Sequence, residues 1–155
     1  MDFDAAFERL IGHEGGYVND PRDPGGETKY GISKRAYPGE DIAGMTLDRA
    51  KYLYRRDYWN AVRGNELPDA LKFAMFDAAV NAGPRQAILW LQRALGVADD
   101  AIIGPQTMMA VRVSDPVRTA SRMTGHRLRH MTEMGAWSSF GRGWAKRIAD
   151  NLIAG

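Results

Sequence analysis

Apolar residues recur at helical spacing along most of this chain. Four of them near the N-terminus share one helical face: Phe3, Phe7, Leu10 and Ile11. They predict an amphipathic helix over residues 2–13, and the glycine pair Gly15-Gly16 after it is a typical helix C-terminal signal. The stretch from Gly15 to Gly31 is rich in Gly, Pro, Asn and Asp, so we predict a structured loop or short β-hairpin there.

Six further helices are predicted downstream of this loop. Thr46 is a favourable N-cap residue, and the apolar positions after it continue at helical spacing towards Trp59. The other five helices are predicted over residues 68–82, 85–95, 105–113, 116–134 and 142–153. Prolines mark four of these starts, and Gly83 and Gly96 stand where C-terminal caps belong. No segment alternates with the period of a strand, so the sequence predicts a mainly α fold.

Composition narrows the class of protein. The chain has 155 residues, of which 45% are hydrophobic and 26% charged, as expected for a compact globular protein. It has no cysteine, which excludes a disulfide framework, a thiolate metal site and a cysteine nucleophile. The N-terminus lacks the basic and apolar regions of a signal peptide, and no apolar run is long enough to span a membrane. We therefore expect synthesis in the cytoplasm.

Charge is distributed unevenly along the chain. Residues 1–30 carry seven acids and three bases, whereas residues 112–147 carry eight bases and two acids. A basic C-terminal region suggests an anionic partner, which on charge alone is nucleic acid, anionic lipid or cell wall. The same pattern is also typical of a solvated helix face.

Glu14 is the first candidate for catalysis. It stands at the predicted end of the first helix, where the negative end of the helix dipole disfavours an anion. That position, together with burial against Tyr17 or Tyr30, would raise the pKa of its carboxyl group and suit it to act as a general acid. The alternative is an ordinary surface glutamate at a frayed helix end.

Asp23 and Thr28 are the candidates for a second catalytic group. Glycoside hydrolysis generally needs two groups that flank the scissile bond, one to donate a proton and one to activate water or stabilise positive charge. Asp23 follows Glu14 by nine residues and Thr28 by fourteen, so a hairpin that folds back over the helix end would bring all three round one sugar. For Asp23 the alternative is turn formation, because Asp-Pro-Gly-Gly is a good turn sequence.

Several motifs in this chain resemble a known family. His-Glu-Gly-Gly-Tyr-Val-Asn-Asp-Pro at residues 13–21, followed by Asp-Pro-Gly-Gly, Thr28 and Tyr-Gly-Ile-Ser, closely resembles the opening signature of glycoside hydrolase family 108. These proteins are N-acetylmuramidases found among phage endolysins and bacterial proteins once called secretion activators. Two later segments also resemble the family: residues 57–59 and 76–83. The C-terminal half resembles the helical peptidoglycan-binding region that usually accompanies it, at residues 91–97 and 104–107, and the closing segment 140–147 fits as well.

The resemblance implies a lysozyme-like fold and hydrolysis of the β-1,4 bond between N-acetylmuramic acid and N-acetylglucosamine in peptidoglycan. It implies that Glu14 is the catalytic acid. By similarity to the Glu, Asp and Thr of phage-type lysozymes, Asp23 would support the oxocarbenium charge and Thr28 would hold the attacking water. It also implies a catalytic lobe over residues 1–66 and a helical peptidoglycan-binding region over residues 67–155, packed as one compact globule.

Four residues are candidates for contacts with the glycan: Tyr17, Tyr30, Trp59 and Asn81. Asn81 shares a helix face with Asp77, whose role we interpret as structural. The four tryptophans are candidates for sugar stacking, although most tryptophans lie in cores, so we expect one or two in contact with glycan: Trp59, Trp90, Trp137 and Trp144. The chain departs from the family pattern at Ala101, where Gly is common, and at His130, where an aromatic residue is expected.

We expect no cofactor and no metal. His126 and His130 are four residues apart on a predicted helix but lack the third ligand and activating Glu of a catalytic zinc site. Three alternatives to muramidase activity stay open: a non-catalytic peptidoglycan-binding module, a lytic transglycosylase, and membrane disruption by the basic C-terminal helices.

The expected partners are peptidoglycan glycan strands and, through the basic C-terminal half, the anionic outer membrane, but not nucleic acid. We expect a monomer that acts in the periplasm or cell wall. A phage endolysin released through a holin is the preferred role, and a bacterial secretion-related muramidase is the alternative.

Overall fold

The fold is described by a computed structural model that covers residues 1–12 and 15–154. Seven α-helices lie in this part of the chain: α1 Phe3–Ile11, α2 Leu47–Tyr54, α3 Asp69–Ala82, α4 Pro84–Leu95, α5 Pro105–Val113, α6 Pro116–Thr132 and α7 Trp137–Ala154. The predicted mainly α fold is therefore confirmed, although α7 begins at Trp137 and not at residue 142. No helix in the described ranges combines the length and apolar character needed to cross a membrane.

The chain divides into two compact units, Met1–Asp57 and Tyr58–Gly155. The first unit contains α1, α2 and a small sheet, and the second contains α3 to α7. The division into a catalytic lobe and a peptidoglycan-binding region between residues 66 and 67 stays a prediction.

The first helix ends earlier than its sequence pattern predicts. Asp2 caps its start, because the Asp2 carboxylate accepts a hydrogen bond of 2.9 Å from the backbone N–H of Ala5. Its end is set by Gly12, which has φ of 58° and donates its N–H to the carbonyl of Glu8. The expected stop at Gly15-Gly16 is wrong, since Gly12 already provides the positive φ that ends a helix.

The loop after α1 contains the predicted hairpin, extended to three strands. β1 (Val18–Asn19), β2 (Glu27–Lys29) and β3 (Ile32–Ser33) form an antiparallel sheet in the order β1-β2-β3. The core of this unit lies between α1, α2 and this sheet's Ile32. Phe7 of α1 meets Tyr54 of α2 edge-on, with ring centroids 5.3 Å apart.

The second helix begins as predicted, at Thr46. The Thr46 hydroxyl accepts a hydrogen bond of 3.1 Å from the N–H of Arg49. After Tyr54 the chain continues as a π-helix over Arg55–Trp59, an arrangement that is rare and often found near functional sites.

In the second unit, α3, α4 and α6 pack around one apolar core. Its largest members are fully buried or nearly so: Leu71, Met75, Trp90, Leu91 and Met123. Proline occupies the first turn of α4, α5 and α6, and glycine ends α3 and α4, as the sequence predicts. His130 packs edge-on against Trp90, with centroids 5.5 Å apart, and so fills the position where an aromatic ring is expected.

A buried carboxylate joins three helices of this unit. Asp77 of α3 is 1% exposed, and it accepts hydrogen bonds from Arg127 of α6 at 2.7 Å and from Arg147 of α7 at 2.6 Å. Asn151 of α7 adds a third bond, 2.8 Å long. The structural role interpreted for Asp77 is therefore confirmed.

Gln92 organises the loop before α5 in a comparable way. Its buried amide donates to the carboxylate of Asp100 and accepts from the N–H of Ala101. Ala101 has φ of 63°, a conformation that glycine adopts without steric cost. This geometry agrees with the expectation of glycine at this position.

Replacing Asp77 with Asn tests the buried network. The change leaves Arg127 buried without a counter-charge, so we expect a loss of about 3–5 kcal/mol in the free energy of unfolding, measured by urea titration. Burial alone raises the pKa of Asp77, but Arg127 and Arg147 offset it and hold the pKa below its usual 3.8. The stabilisation is therefore present above pH 3.8 and is lost as pH falls through the lower, folded-state pKa.

The matched control is Asp150→Asn on α7, whose exposed carboxylate pairs with Lys146. We expect it to cost less than about 1 kcal/mol, as exposed ion pairs do. Asp77→Asn should also flatten the acid limb of the stability–pH curve. Equal losses for the two variants would contradict a dominant role for the buried carboxylate.

Candidate functional site

The first unit carries most of the predicted site residues on or beside its small sheet. Asp23 lies in the β1–β2 connection, Thr28 on β2, and Tyr30 in the β2–β3 turn. Glu14, the predicted general acid, lies outside the described residues. Its expected placement at the end of the first helix therefore stays a prediction.

Asp23 forms the turn that its sequence context predicts. Its carboxylate oxygen Oδ1 accepts a hydrogen bond of 2.8 Å from the N–H of Gly25, and its carbonyl accepts one from Gly26. The Asp23 side chain is nevertheless exposed to solvent. Turn formation and contact with a bound sugar are therefore compatible at this position.

Thr28 lies at the centre of the sheet, opposite Val18 of β1 and Ser33 of β3. Successive residues of a strand point to opposite faces, so Thr28 faces away from its neighbours Glu27 and Lys29. Thr28 is partly buried. If the Thr28 hydroxyl holds the attacking water as predicted, that water lies on this face of the sheet.

Tyr17 belongs to the other face. Its hydroxyl donates a hydrogen bond of 2.5 Å to Oε1 of Glu27, one strand away. This bond to Glu27 raises the pKa of the Tyr17 phenol, because it stabilises the protonated hydroxyl beside a carboxylate. Thr28 and the Tyr17–Glu27 pair therefore point to opposite faces of the sheet.

Tyr30 and Gly31 form the two-residue turn between β2 and β3. Both have positive φ, 51° and 76°, as hairpin turns of type I′ require. Glycine tolerates this conformation, whereas tyrosine is strained in it. The Tyr30 carbonyl accepts a hydrogen bond of 2.9 Å from the hydroxyl of Tyr54, which fixes the turn on α2.

The strained turn places the Tyr30 ring against the segment that carries the predicted acid. A Cβ atom on Gly15 would lie 3.0 Å from Cε1 of this ring. Gly15 is the residue after Glu14 in the sequence. The expectation that Tyr30 acts near the acid is consistent with this contact.

The second unit contains the other two predicted contacts. Asn81 is exposed at the end of α3, and its amide donates to the carbonyl of Asp77 at 2.8 Å. Trp59 is 0% exposed, donates its indole N–H to Asn65, and packs edge-on against Phe76. The prediction of Trp59 as a sugar contact is wrong, because a fully buried ring offers no face to a ligand.

The pairing of Tyr17 with Glu27 has no local sequence signal. Tyr17 and Glu27 are ten residues apart, and only the register of β1 against β2 brings them together. Asp57 was also missed as a partner of Tyr37, whose hydroxyl donates to it at 2.6 Å. The neighbouring guanidinium of Arg56 holds the pKa of Asp57 below its usual value, with help from the Tyr37 bond.

The basic residues of the C-terminal half surround His126. Burial and the nearby cations Arg129, Arg93 and Arg122 lower the pKa of this imidazole. Within residues 1–12 and 15–154, no group of three His, Cys, Asp or Glu side chains is placed to hold a metal.

Comparisons with known proteins match both parts of the chain. Residues 7–83 match the family described as glycosyl hydrolase 108, and residues 86–149 match a family described as a predicted peptidoglycan domain. The solved structure of Brucella abortus SagA is similar, with 35% identity and a TM-score of 0.87. The similarity covers 96% of this chain and 90% of that one. No curated protein matches the sequence.

Replacing Gly31 with Ala tests the turn that positions Tyr30. Alanine at positive φ costs roughly 1–2 kcal/mol, and its Cβ would overlap the Tyr54 hydroxyl. We expect a loss of at least that size in the free energy of unfolding, measured by thermal and urea denaturation. Gly16→Ala is the control, because no atom lies within 4 Å of a Cβ there. A Gly31 variant as stable as the Gly16 variant would refute the turn requirement.

Proposed function

From the premise that this chain belongs to glycosyl hydrolase family 108, we propose that it is a muramidase. The family and the matched peptidoglycan domain make it a glycoside hydrolase that acts on peptidoglycan. The proposed bond is the β-1,4 linkage between N-acetylmuramic acid and N-acetylglucosamine. The lysozyme-like, mainly α fold is consistent with this reaction.

The proposed general acid is Glu14, which protonates the leaving oxygen while water attacks the anomeric carbon. The observation that best supports it is the packing of the Tyr30 ring over Gly15. We propose that an aromatic ring near the acid limits its contact with water, which would keep the carboxyl group protonated near neutral pH. The strain at Tyr30 is of the kind that folded proteins retain at functional sites.

Asp23 and Thr28 are proposed as the supporting groups. The exposed Asp23 carboxylate would stabilise the positive charge that develops on the sugar, and Thr28 would hold the attacking water. Thr28 is suited to a fixed position, because the strands on both sides of it, β1 and β3, hold β2 in place.

The turn bond of Asp23 also favours a second candidate reaction. One Asp23 oxygen is engaged by the N–H of Gly25, so the carboxylate has a structural role whether or not it takes part in catalysis. A reaction that needs a single carboxyl group is lytic transglycosylation, in which the sugar's own hydroxyl attacks and an anhydro product forms. The released products distinguish these two reactions.

Digestion of purified peptidoglycan tests the proposal. The wild type should release fragments with reducing ends, identified by mass spectrometry, whereas Glu14→Gln should reduce the rate by a factor of about 100 or more, because Gln cannot donate the proton. Glu8→Gln, on the exposed face of α1, is the matched control and should retain full activity.

Two further variants assign the supporting roles. Asp23→Asn and Thr28→Ala should each lower the rate without changing the products. Anhydro ends from the wild type, with little effect of Asp23→Asn, would replace hydrolysis with transglycosylation. Full activity of Glu14→Gln would remove Glu14 from the mechanism.

We further propose that the physiological role is lysis of a bacterial host by a phage, with the enzyme reaching the wall through a holin. A glycosidase joined to a peptidoglycan domain in one chain supports a role in wall degradation. Expression in the bacterial cytoplasm should lyse cells only when a holin is produced together with the enzyme. Lysis without a holin would point to a different route to the wall.

A further inference from the structure

Three aromatic side chains lie along one side of α7 in the second unit: Trp137, Phe140 and Trp144. We refer to them as the aromatic strip. Positions three, four and seven apart share a helix face, so their spacing alone places them in one row. Phe140 is 59% exposed, and the two tryptophans are each half-buried. The strip is therefore a surface feature with a buried edge.

The rings of the strip are in contact with one another. Phe140 stacks on Trp144 with centroids 6.1 Å apart and ring planes 25° apart. Trp137 and Trp144 are 6.2 Å apart with planes at 53°. Contacts at these distances restrain the rings, so the strip presents an ordered apolar surface to solvent.

Gly141 makes the position of Trp137 possible. A Cβ atom at residue 141 would lie 2.5 Å from Cδ2 of Trp137, so only glycine leaves room for the indole there. Glycine inside a helix costs roughly 0.5–1 kcal/mol relative to alanine. In α7, glycine at residue 141 makes room for the Trp137 indole to pack against the helix.

The helix that carries the strip is firmly anchored. Arg147 lies three residues after Trp144, and it is held by the buried carboxylate of Asp77 at 2.6 Å. Asn151, one turn further, binds the same carboxylate. The strip is therefore attached to a fixed element, which lowers the entropic cost of binding a ligand to it.

We propose that the aromatic strip binds the sugar rings of a peptidoglycan glycan strand, through residues other than those proposed for cleavage. The C–H faces of a hexosamine pack well on flat aromatic rings, and its hydroxyl groups remain in water. All three residues lie within residues 86–149, the range that matches the peptidoglycan domain. This inference rests on the proposed function, because it assumes that the wall glycan is the substrate.

A glycan fits the surface better than a membrane does. An interfacial helix needs one continuous apolar face, but Ile153, the most exposed apolar residue of α7, lies about 140° around the helix from Phe140.

The test measures binding by the full chain with Glu14→Gln present, so that the glycan is not degraded. Cosedimentation with sacculi from which an amidase has removed the stem peptides gives the dissociation constant for glycan alone. The Phe140→Ala and Trp144→Ala double variant should bind at least about fivefold more weakly than the parent, as expected for lost aromatic contacts. Phe140→Tyr should bind like the parent, because it keeps the ring.

Tyr52→Ala is the matched control. Tyr52 is 53% exposed, close to the value for Phe140, but it lies on α2 and not in the strip. Its loss should change glycan binding by less than about twofold. If the double variant fails to fold, the single Phe140→Ala variant decides the test, since an exposed side chain can be truncated without unfolding the helix.

A second readout follows the indoles directly. Titration with a soluble peptidoglycan tetrasaccharide should change the tryptophan fluorescence of the parent, and Trp144→Ala should remove most of the change. Unaltered sacculus binding by Phe140→Ala would overturn the inference. The inference would also be overturned if Phe140→Ala lost binding to anionic phospholipid vesicles but kept its binding to glycan. That result would assign the strip to a membrane.

The two proposals fail in different ways. If Glu14→Gln still hydrolyses peptidoglycan, the proposed mechanism is wrong, whereas cosedimentation with the wall still tests the strip. If Glu14→Gln is inactive but the strip variants bind normally, only the glycan site on α7 is wrong.

Discussion

The second unit depends on one buried carboxylate. Asp77 is 1% exposed and receives two arginines and one asparagine, which arrive from α6 and α7. A charge removed from water in this way is tolerated only when its partners are held in place, so the positions of the three helices depend on one another. The apolar core of α3, α4 and α6 supplies the burial, and the network determines how α6 and α7 align with α3. The exposed aromatic strip lies on α7, which the bonds of Arg147 and Asn151 to Asp77 hold in place.

The first unit is organised by a different constraint, the tight turn at Tyr30 and Gly31. Positive φ at both positions allows β2 and β3 to pair after only two residues, and the Tyr54 hydroxyl fixes the turn from α2. The strain at Tyr30 is balanced by this bond and by the packing of its ring over Gly15. A residue that is unfavourable for the turn is therefore retained where its ring packs over Gly15. At Tyr30, the backbone strain lowers the stability of the turn, while the same conformation places the ring over Gly15.

The two units divide the work expected of a wall hydrolase. The sheet of the first unit holds Thr28 and the Tyr17–Glu27 pair on opposite faces, so the strand pleat sorts the candidate residues into separate groups. The second unit offers aromatic rings on α7, which suit the sugar rings of a polysaccharide. The chemistry is proposed for the first set of residues, and retention on the polymer for the second.

The sequence by itself determined the helices and the family, because their signals are local. Thr46, the prolines that begin α4, α5 and α6, and the glycines that end α3 and α4 act on their own neighbours within one turn. The early end of α1 was misjudged, since Gly12, Gly15 and Gly16 are all suitable stops in sequence, and only the backbone dihedral selects one. Tertiary structure alone decided the rest. Asp77 and its partners are 50 to 74 residues apart, Trp59 is a core residue while Trp137 and Trp144 reach the surface, and Tyr17 finds Glu27 only through strand register. Burial and pairing of this kind depend on how distant elements pack, which no local pattern of residues specifies.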